Sequence, residues 1–240
     1  PVEIDGAATG AGALTGTLAR PVLDLTADFT TIEAGPLSLS DTHLILSFRH
    51  DIAASHGRVT ITGGSAYGPA RAFSNFRIAD DGVQLNGLDI NAGGITANGD
   101  LALRGAAPSS ANLTFEARPG AFLAAGNASG RILLTEGGGD TAAVLDVTGR
   151  GVRFSGSDYV IRALRLQGEG TLARLPFTLQ TDVAGTFPIS FQGSGVYARQ
   201  NGSQTVTLQG GGRVREVPFE TRSPAVIALT NGGKVIRVDR

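Results

Sequence analysis

Apolar and polar residues alternate with a period of two along most of this chain. Leu23, Leu25, Ala27 and Phe29 fall on one side of an extended segment, with Asp24, Thr26 and Asp28 on the other. Leu44, Leu46 and Phe48 repeat the pattern, as do Val59 and Ile61 between Arg58, Thr60 and Thr62. It returns at Leu101 and Leu103, Leu113 and Phe115, Leu145 and Val147, Val152 and Phe154, Leu164 and Leu166, and Phe177 and Leu179. Ile189 and Phe191, Val206 and Leu208, Ile227 and Leu229, and Ile236 and Val238 complete the series. A strand sends successive side chains to opposite faces, so this spacing predicts half-buried β-strands. Helix signals are weak. The nearest to a helical turn, Ala121–Gly130, is interrupted by Gly126 and Gly130.

Between the alternating runs lie Asp81-Gly82, Asn86-Gly87, Asn98-Gly99, Asn201-Gly202, Asn231-Gly232 and several Gly-Gly pairs. Such residues supply the positive φ of tight hairpins, so antiparallel meanders are expected, for instance Val83–Ile90 against Ile95–Leu103. The expected fold is all-β: a long, mostly antiparallel, curled sheet with one apolar face. About 18 strands at ~4.8 Å spacing form a sheet too long to leave one greasy side in water. Such a sheet closes into a barrel or β-helix, or curls partway into a half-open groove with an apolar concave floor.

A short string is repeated. Gly-Thr-Leu-Ala-Arg stands at Gly16–Arg20 and again at Gly170–Arg174, and Gly212-Arg-Val-Arg-Glu-Val-Pro-Phe219 is a looser copy of Gly170–Phe177. Repetition of a glycine-led unit ahead of an alternating run is the punctuation of stacked β-structure.

Composition narrows the function. Apolar residues make up 41% of 240, enough for a continuous hydrophobic face, and charged residues only 17% with a formal net charge of −1, so no basic stripe for nucleic acid is expected. Cysteine is absent, which leaves the redox compartment open, and methionine is absent, which suggests one continuous segment (1–240) of a longer or processed protein. No run of 18 apolar residues is present to cross a bilayer as a helix.

Candidate chemistry is sparse. His43, His50 and His56, with Asp41 and Asp51 nearby, fit no standard metal-ligand spacing and read as solvated residues. Glu136-Gly-Gly-Gly-Asp140 lacks the spacing of calcium-binding glycine repeats, and Asp80-Asp81-Gly82 reads as a turn. Gly193-Ser194-Gly195 is no nucleophile elbow, because no helix signal follows it. The Asn-x-Ser/Thr triplets at Asn112, Asn127 and Asn201 matter only in a eukaryotic secreted protein. Arg213 and Arg215 flank Val214 and share a face, read as a solvated outer face or as residues at a groove rim. No catalytic residue, metal or cofactor is expected.

At Gly16, Leu18, Pro21, Leu23 and Leu25 the chain resembles the TamB family, within the AsmA-like group of Gram-negative envelope proteins. Ala97–Gly105 and Ile161–Leu172 share the texture. The resemblance implies a periplasmic β-groove of an inner-membrane-anchored protein that moves phospholipid between membranes. It implies a BamA-like outer-membrane barrel, TamA, as partner. The family's N-terminal membrane helix and C-terminal docking segment are not recognised in these residues, so the resemblance implies a segment from the middle of the molecule, with TamA reached through the full-length protein. The expected floor comprises Leu23, Leu25, Phe29, Leu44, Leu46, Phe48, Leu101, Leu103, Leu113, Phe115, Phe177, Leu179, Ile189, Phe191, Val206 and Leu208. Where both faces are apolar, as at Leu133-Leu134 and Val226-Ile227, the alternation does not choose. The alternatives are another AsmA-like protein of the YdbH type, a closed adhesive β-solenoid, and a polysaccharide-acting β-helix, which needs a carboxylate cluster.

Overall fold

The computed structural model describes residues 8–51, 54–79, 82–105, 107–137, 140–200, 203–230 and 235–239, which form strands and turns without a helix. The chain divides into two compact units, Pro1–Leu123 and Ala124–Arg240. Unit 1 holds β1 (Ala8–Thr17), β2 (Arg20–Ala34), β3 (Leu37–His50), β4 (Ser55–Ser65), β5 (Gly68–Ala79), β6 (Gly82–Ala92), β7 (Ile95–Arg104) and β8 (Ala107–Ala117). Each pairs antiparallel with the next, so the unit is one continuous meander.

β9 (Leu123–Thr135) starts on the last residue of unit 1 and leads into unit 2. There follow β10 (Ala142–Phe154), β11 (Val160–Thr171), β12 (Arg174–Ala184), β13 (Ile189–Gln200) and β14 (Ser203–Val214). β15 (Val217–Glu220), β16 (Ala225–Thr230) and β17 (Val235–Asp239) end the chain. β10 to β14 again pair antiparallel in sequence order. β14 then serves two partners: its C-terminal half pairs with β15 and its N-terminal half with β16, which pairs with β17.

The repeated string is a hairpin tip. Thr17 and Arg20 close the β1–β2 turn, and the Arg20 amide donates to Thr17 Oγ1 at 3.2 Å. Arg174 donates in the same way to Thr171 Oγ1 at 3.1 Å in the β11–β12 turn. The looser copy turns at Arg215-Glu216, between paired Val214 and Val217. Arg215 therefore lies in the turn, at φ +55, and does not share a strand face with Arg213 as the alternation suggested.

Glycine departs most from the sequence reading. Gly93-Gly94 does form the β6–β7 turn, with φ of +59 and +86 that other residues rarely adopt. Asn98-Gly99, expected as a turn, lies inside β7 opposite Thr114 and Leu113, and Asn86-Gly87 lies inside β6 where the register shifts between Leu85 and Leu88. Asp81, Asn201-Gly202 and Asn231-Gly232 lie outside the described residues. Ala121–Gly130, the segment nearest to a helix, is a turn running into β9.

Little is sealed from water. Nine apolar side chains among the described residues are buried, five of them alanine. The chain keeps 14993 Å² accessible, against roughly 10,000 Å² expected for a compact protein of its mass. In unit 1 most of the core sits at one end of the strands, with Ala111 buried apart from it opposite Leu101. Leu37 and Ala121 pack at Gly93, where segment 118–123 crosses the β6–β7 turn through 2.8 Å bonds from Arg118 N to Gly94 O and Ala121 N to Gly93 O. Ala70, Ala117 and Leu123 complete that buried end. In unit 2 Leu134, Ala143 and Val152 are buried. At Leu133-Leu134, then, it is Leu134 that turns inward.

Thr42 is 1% exposed, and its Oγ1 has no hydrogen-bond partner. It follows Asp41, at φ +47, in a bulge where the β3–β4 register shifts between Ser40 and His43. A buried hydroxyl without a partner costs about 1–3 kcal/mol, and valine fills the same volume without it. Thr42→Val is therefore expected to raise the urea midpoint by an amount equivalent to about 1–2 kcal/mol. A lower midpoint for Thr42→Val than for the wild type contradicts this.

Candidate hydrophobic groove

Antiparallel register brings the alternating apolar residues into rows that cross the strands. In unit 1 one row runs Leu14, Leu23, Phe48, Gly57, Phe76, Leu85, Leu101, Ala111, each residue paired with the next. A second runs Gly10, Ala27, Leu44, Ile61, Ala72, Ile90, Ala97, Phe115. Eight strands give each row a length of about 34 Å. Leu25, Leu46 and Val59 form a shorter row between them.

Unit 2 is built the same way. Leu145, Gly168, Phe177, Gly195, Leu208 and Ala225 form one row, and Gly149, Leu164, Thr181, Phe191, Gly212 and Phe219 another. Between them lie Val147, Leu166, Leu179, Gly193 and Gly210. Ile189 and Val206 belong to the flanking rows, Ile189 between Val183 and Val214 and Val206 between Tyr197 and Ile227.

All sixteen residues expected on the floor occupy these faces, and every one is half-buried, neither sealed nor free. In β2 Leu23, Leu25, Ala27 and Phe29 are half-buried while Asp24, Thr26, Asp28 and Thr30 are exposed. Neighbours in the same sheet shield the flanks of each side chain. A second layer packed on top would bury them fully, as in a sandwich. Among the described residues of either unit no helix or second sheet provides that layer. The structure does not bring the sixteen to one point; it spreads them along the apolar sheet face of each unit.

Glycines set the depth of this face. Phe48 and Phe76 flank Gly57 across the strands, and their rings stack above it with centroids 6.5 Å apart at 19°. Phe191 and Phe219 flank Gly212 with centroids 6.4 Å apart at 16°. A Cβ on Gly57 would run into the Phe76 ring and the Ser47 carbonyl. The Phe177 ring covers Gly195, and the Phe191 ring reaches Gly193. Aromatic rings laid on glycine recover apolar cover where the strand has no side chain. Alternation alone did not reveal these contacts, although the Phe-x-Gly-x-Gly string Phe191–Gly195 carries a trace of them.

The opposite face is polar and cross-linked. Ser47 donates to Asp24 at 2.5 Å, His43 Nδ1 meets Asp28 at 2.7 Å, and Gln167 donates to Asp146 at 3.1 Å. Arg71 pairs with Asp89. Arg58 donates to Asn75 at 3.3 Å and lies over the Phe73 ring at 5.5 Å. His56 is an exposed residue of this face, whereas His50, on the floor face just beyond Phe48, meets Ser55 at 2.9 Å. The three histidines therefore have separate partners or none in common, and among the described residues no three His, Cys, Asp or Glu gather as metal ligands. Gly138-Gly139 and Asp80-Asp81 lie outside the described residues. Among the described residues no helix is long and apolar enough to cross a membrane.

No protein-family model, no curated protein and no solved structure matches this chain.

Proposed function

We propose that this chain shelters phospholipid acyl chains on its apolar sheet faces, as part of a periplasmic, TamB-like or related AsmA-like conduit between two membranes. The observation that carries the reading is the floor itself: aliphatic and aromatic residues in register, half-buried, with no second layer among the described residues of either unit. Two acyl chains of roughly 16 carbons each cost on the order of 13 kcal/mol per chain to expose to water, at ~0.8 kcal/mol per CH₂. A continuous apolar row removes most of that cost while a headgroup stays wet. Uniform, shallow contact is what passage requires, and a specific pocket would trap the cargo. The polar, cross-linked opposite face suits an aqueous compartment. An inner-membrane anchor and an outer-membrane barrel partner of the TamA kind belong to the same proposal and rest on the sequence resemblance.

The ladders between strands are antiparallel, whereas the coils of an adhesive β-solenoid or a polysaccharide-acting β-helix stack in parallel. That favours the groove over those alternatives. Gentle purification from a Gram-negative envelope followed by native mass spectrometry tests it. Bound species at phospholipid masses are the expected result, with phospholipid recovered in the organic extract. A chain that arrives free of lipid, and stays free after incubation with phospholipid micelles, overturns the proposal.

A further inference from the structure

At one end of its strands the unit 2 floor stops at a last row, and the hairpin tips beyond that row form a surface that the groove does not use. A row of paired residues, Val152, Ile161, Val183, Ile189, Val214 and Val217, crosses the sheet there. Beyond it project three hairpin tips: β10–β11, β12–β13 and β14–β15. They are tied together. The Arg215 amide donates to Pro188 O at 2.8 Å, the Arg215 guanidinium lies 4.8 Å over the Phe187 ring, and the Tyr159 ring sits against Gly185, with no room for a Cβ.

Six large apolar side chains are exposed among the described residues of unit 2, and five of them are at this end: Phe154, Tyr159, Phe187, Val214 and Val217. Phe187 is 48% exposed and Val217 68%. Turn residues in water are ordinarily polar, so three adjacent tips bearing exposed aromatic and branched side chains call for a partner. Arginine accompanies them. Arg153, Arg162, Arg213 and Arg215 stand at or beside the tips against Asp158, Asp182 and Glu216, and none of the four arginines forms a salt bridge among the described residues. The unit as a whole is basic, with 13 Lys and Arg against 9 Asp and Glu, while unit 1 has 7 against 12. The near-neutral total conceals this division.

We propose that this edge docks on the surface of a bilayer containing anionic phospholipid. The Phe and Tyr rings sit at the headgroup level, where an apolar body and a wet rim are both satisfied, and the arginines, free of carboxylate partners among the described residues, meet lipid phosphates. Unlike a deep insertion, the contact is shallow and salt-sensitive. It depends on the tips alone and stands whether or not the sheet face carries acyl chains.

The test is flotation of the full chain with vesicles of phosphatidylcholine alone or with phosphatidylglycerol. The wild type is expected to float with the anionic vesicles and to be released by salt. The variant Phe154→Ser/Tyr159→Ser/Phe187→Ser is expected to bind about tenfold more weakly or less, and Arg213→Glu/Arg215→Glu to lose the preference for phosphatidylglycerol. Unchanged thermal unfolding of both variants shows that the fold is intact. A floor variant, Leu46→Asp, is expected to float like the wild type, which separates docking from cargo. Failure of the wild type to bind either vesicle overturns the proposal. So does equal binding by the aromatic triple variant, or a concentration-dependent dimer that the triple variant abolishes, which would make the edge a protein interface.

Discussion

Gly57→Ala is expected to destabilise the protein by about 2–4 kcal/mol, although alanine is the better strand former. At an open strand position, glycine to alanine gains roughly 0.5–1 kcal/mol, because glycine loses more freedom on folding. Gly57 is not open. Its missing Cβ is the space in which the Phe76 ring lies, and the Ser47 carbonyl of the neighbouring strand occupies the other side. A methyl group there displaces a backbone atom as well as a ring, and a backbone atom in a paired ladder has nowhere cheap to go. Gly64, in the same strand, is the control. Its nearest neighbour is the Ser40 hydroxyl at 3.2 Å, a group that can rotate away. Gly64→Ala is expected to change stability by less than about 1 kcal/mol. Adding Phe76→Leu to Gly57→Ala is expected to recover only part of the loss, because the Ser47 carbonyl remains. Urea unfolding followed by circular dichroism measures all four proteins. A Gly57→Ala variant as stable as the wild type would show that the stacked Phe48 and Phe76 rings do not need the glycine beneath them. Gly212, between Phe191 and Phe219 and hard against the Ser190 carbonyl, is expected to behave as Gly57 does.

Those glycines mark where sequence reading reached its limit. Strand identity was legible because side-chain direction alternates with a fixed period of two, and Leu23 to Phe29 or Leu44 to Phe48 cannot satisfy that pattern on a helix. Hairpin connection was legible in part: Gly16-Thr17-Leu18-Ala19-Arg20 and its second copy do turn, through a threonine hydroxyl that caps the loop. Register was not legible. It depends on bulges near Asp41, Phe73 and Gly87, each of which shifts the pairing without breaking the local alternation. The glycines were assigned to turns because glycine has two uses, positive φ and close approach, and composition does not distinguish them. Gly57 and Gly212 serve the second use, and only the cross-strand partner reveals it.

The openness of the apolar face was likewise beyond the alternation itself. A strand in a two-layer sandwich shows the same pattern of inward and outward residues as one in an open groove. What separates them is the partial burial of Leu23, Leu46, Phe115 and Leu179, a property of what lies above the sheet. The tip surface of unit 2 was hidden for a different reason. Phe154 with Tyr159, Phe187, and Arg215 belong to three turns far apart in sequence, and only the meander lines up those turns at one edge. Net charge hid the basic character of that unit because the acidic residues concentrate in the other.

The groove reading makes its sharpest demand at two adjacent residues of β3. Leu46→Asp is expected to abolish lipid recovery, and Ile45→Asp to leave it unchanged. Leu46 lies on the floor between Leu25 and Val59, while Ile45 points to the polar face between Thr26 and Thr60 and is 46% exposed. Both substitutions replace a four-carbon aliphatic side chain by aspartate in the same strand, so net charge shifts equally, and strand propensity falls more for β-branched Ile45 than for Leu46. They differ in which face receives the carboxylate. On the floor it stays hydrated when the groove is empty, because no layer covers it, and the fold loses about 1–2 kcal/mol. Once an acyl chain lies over it the carboxylate is dehydrated, at a cost of several kcal/mol, which shallow contact with a few methylene groups does not offset. Lipid bound per chain, read by native mass spectrometry and by organic extraction, is the measurement, with urea unfolding to confirm that both variants fold. Equal lipid content in the two variants, whether both full or both empty, removes the floor from the mechanism and leaves the half-buried rows as structure without cargo.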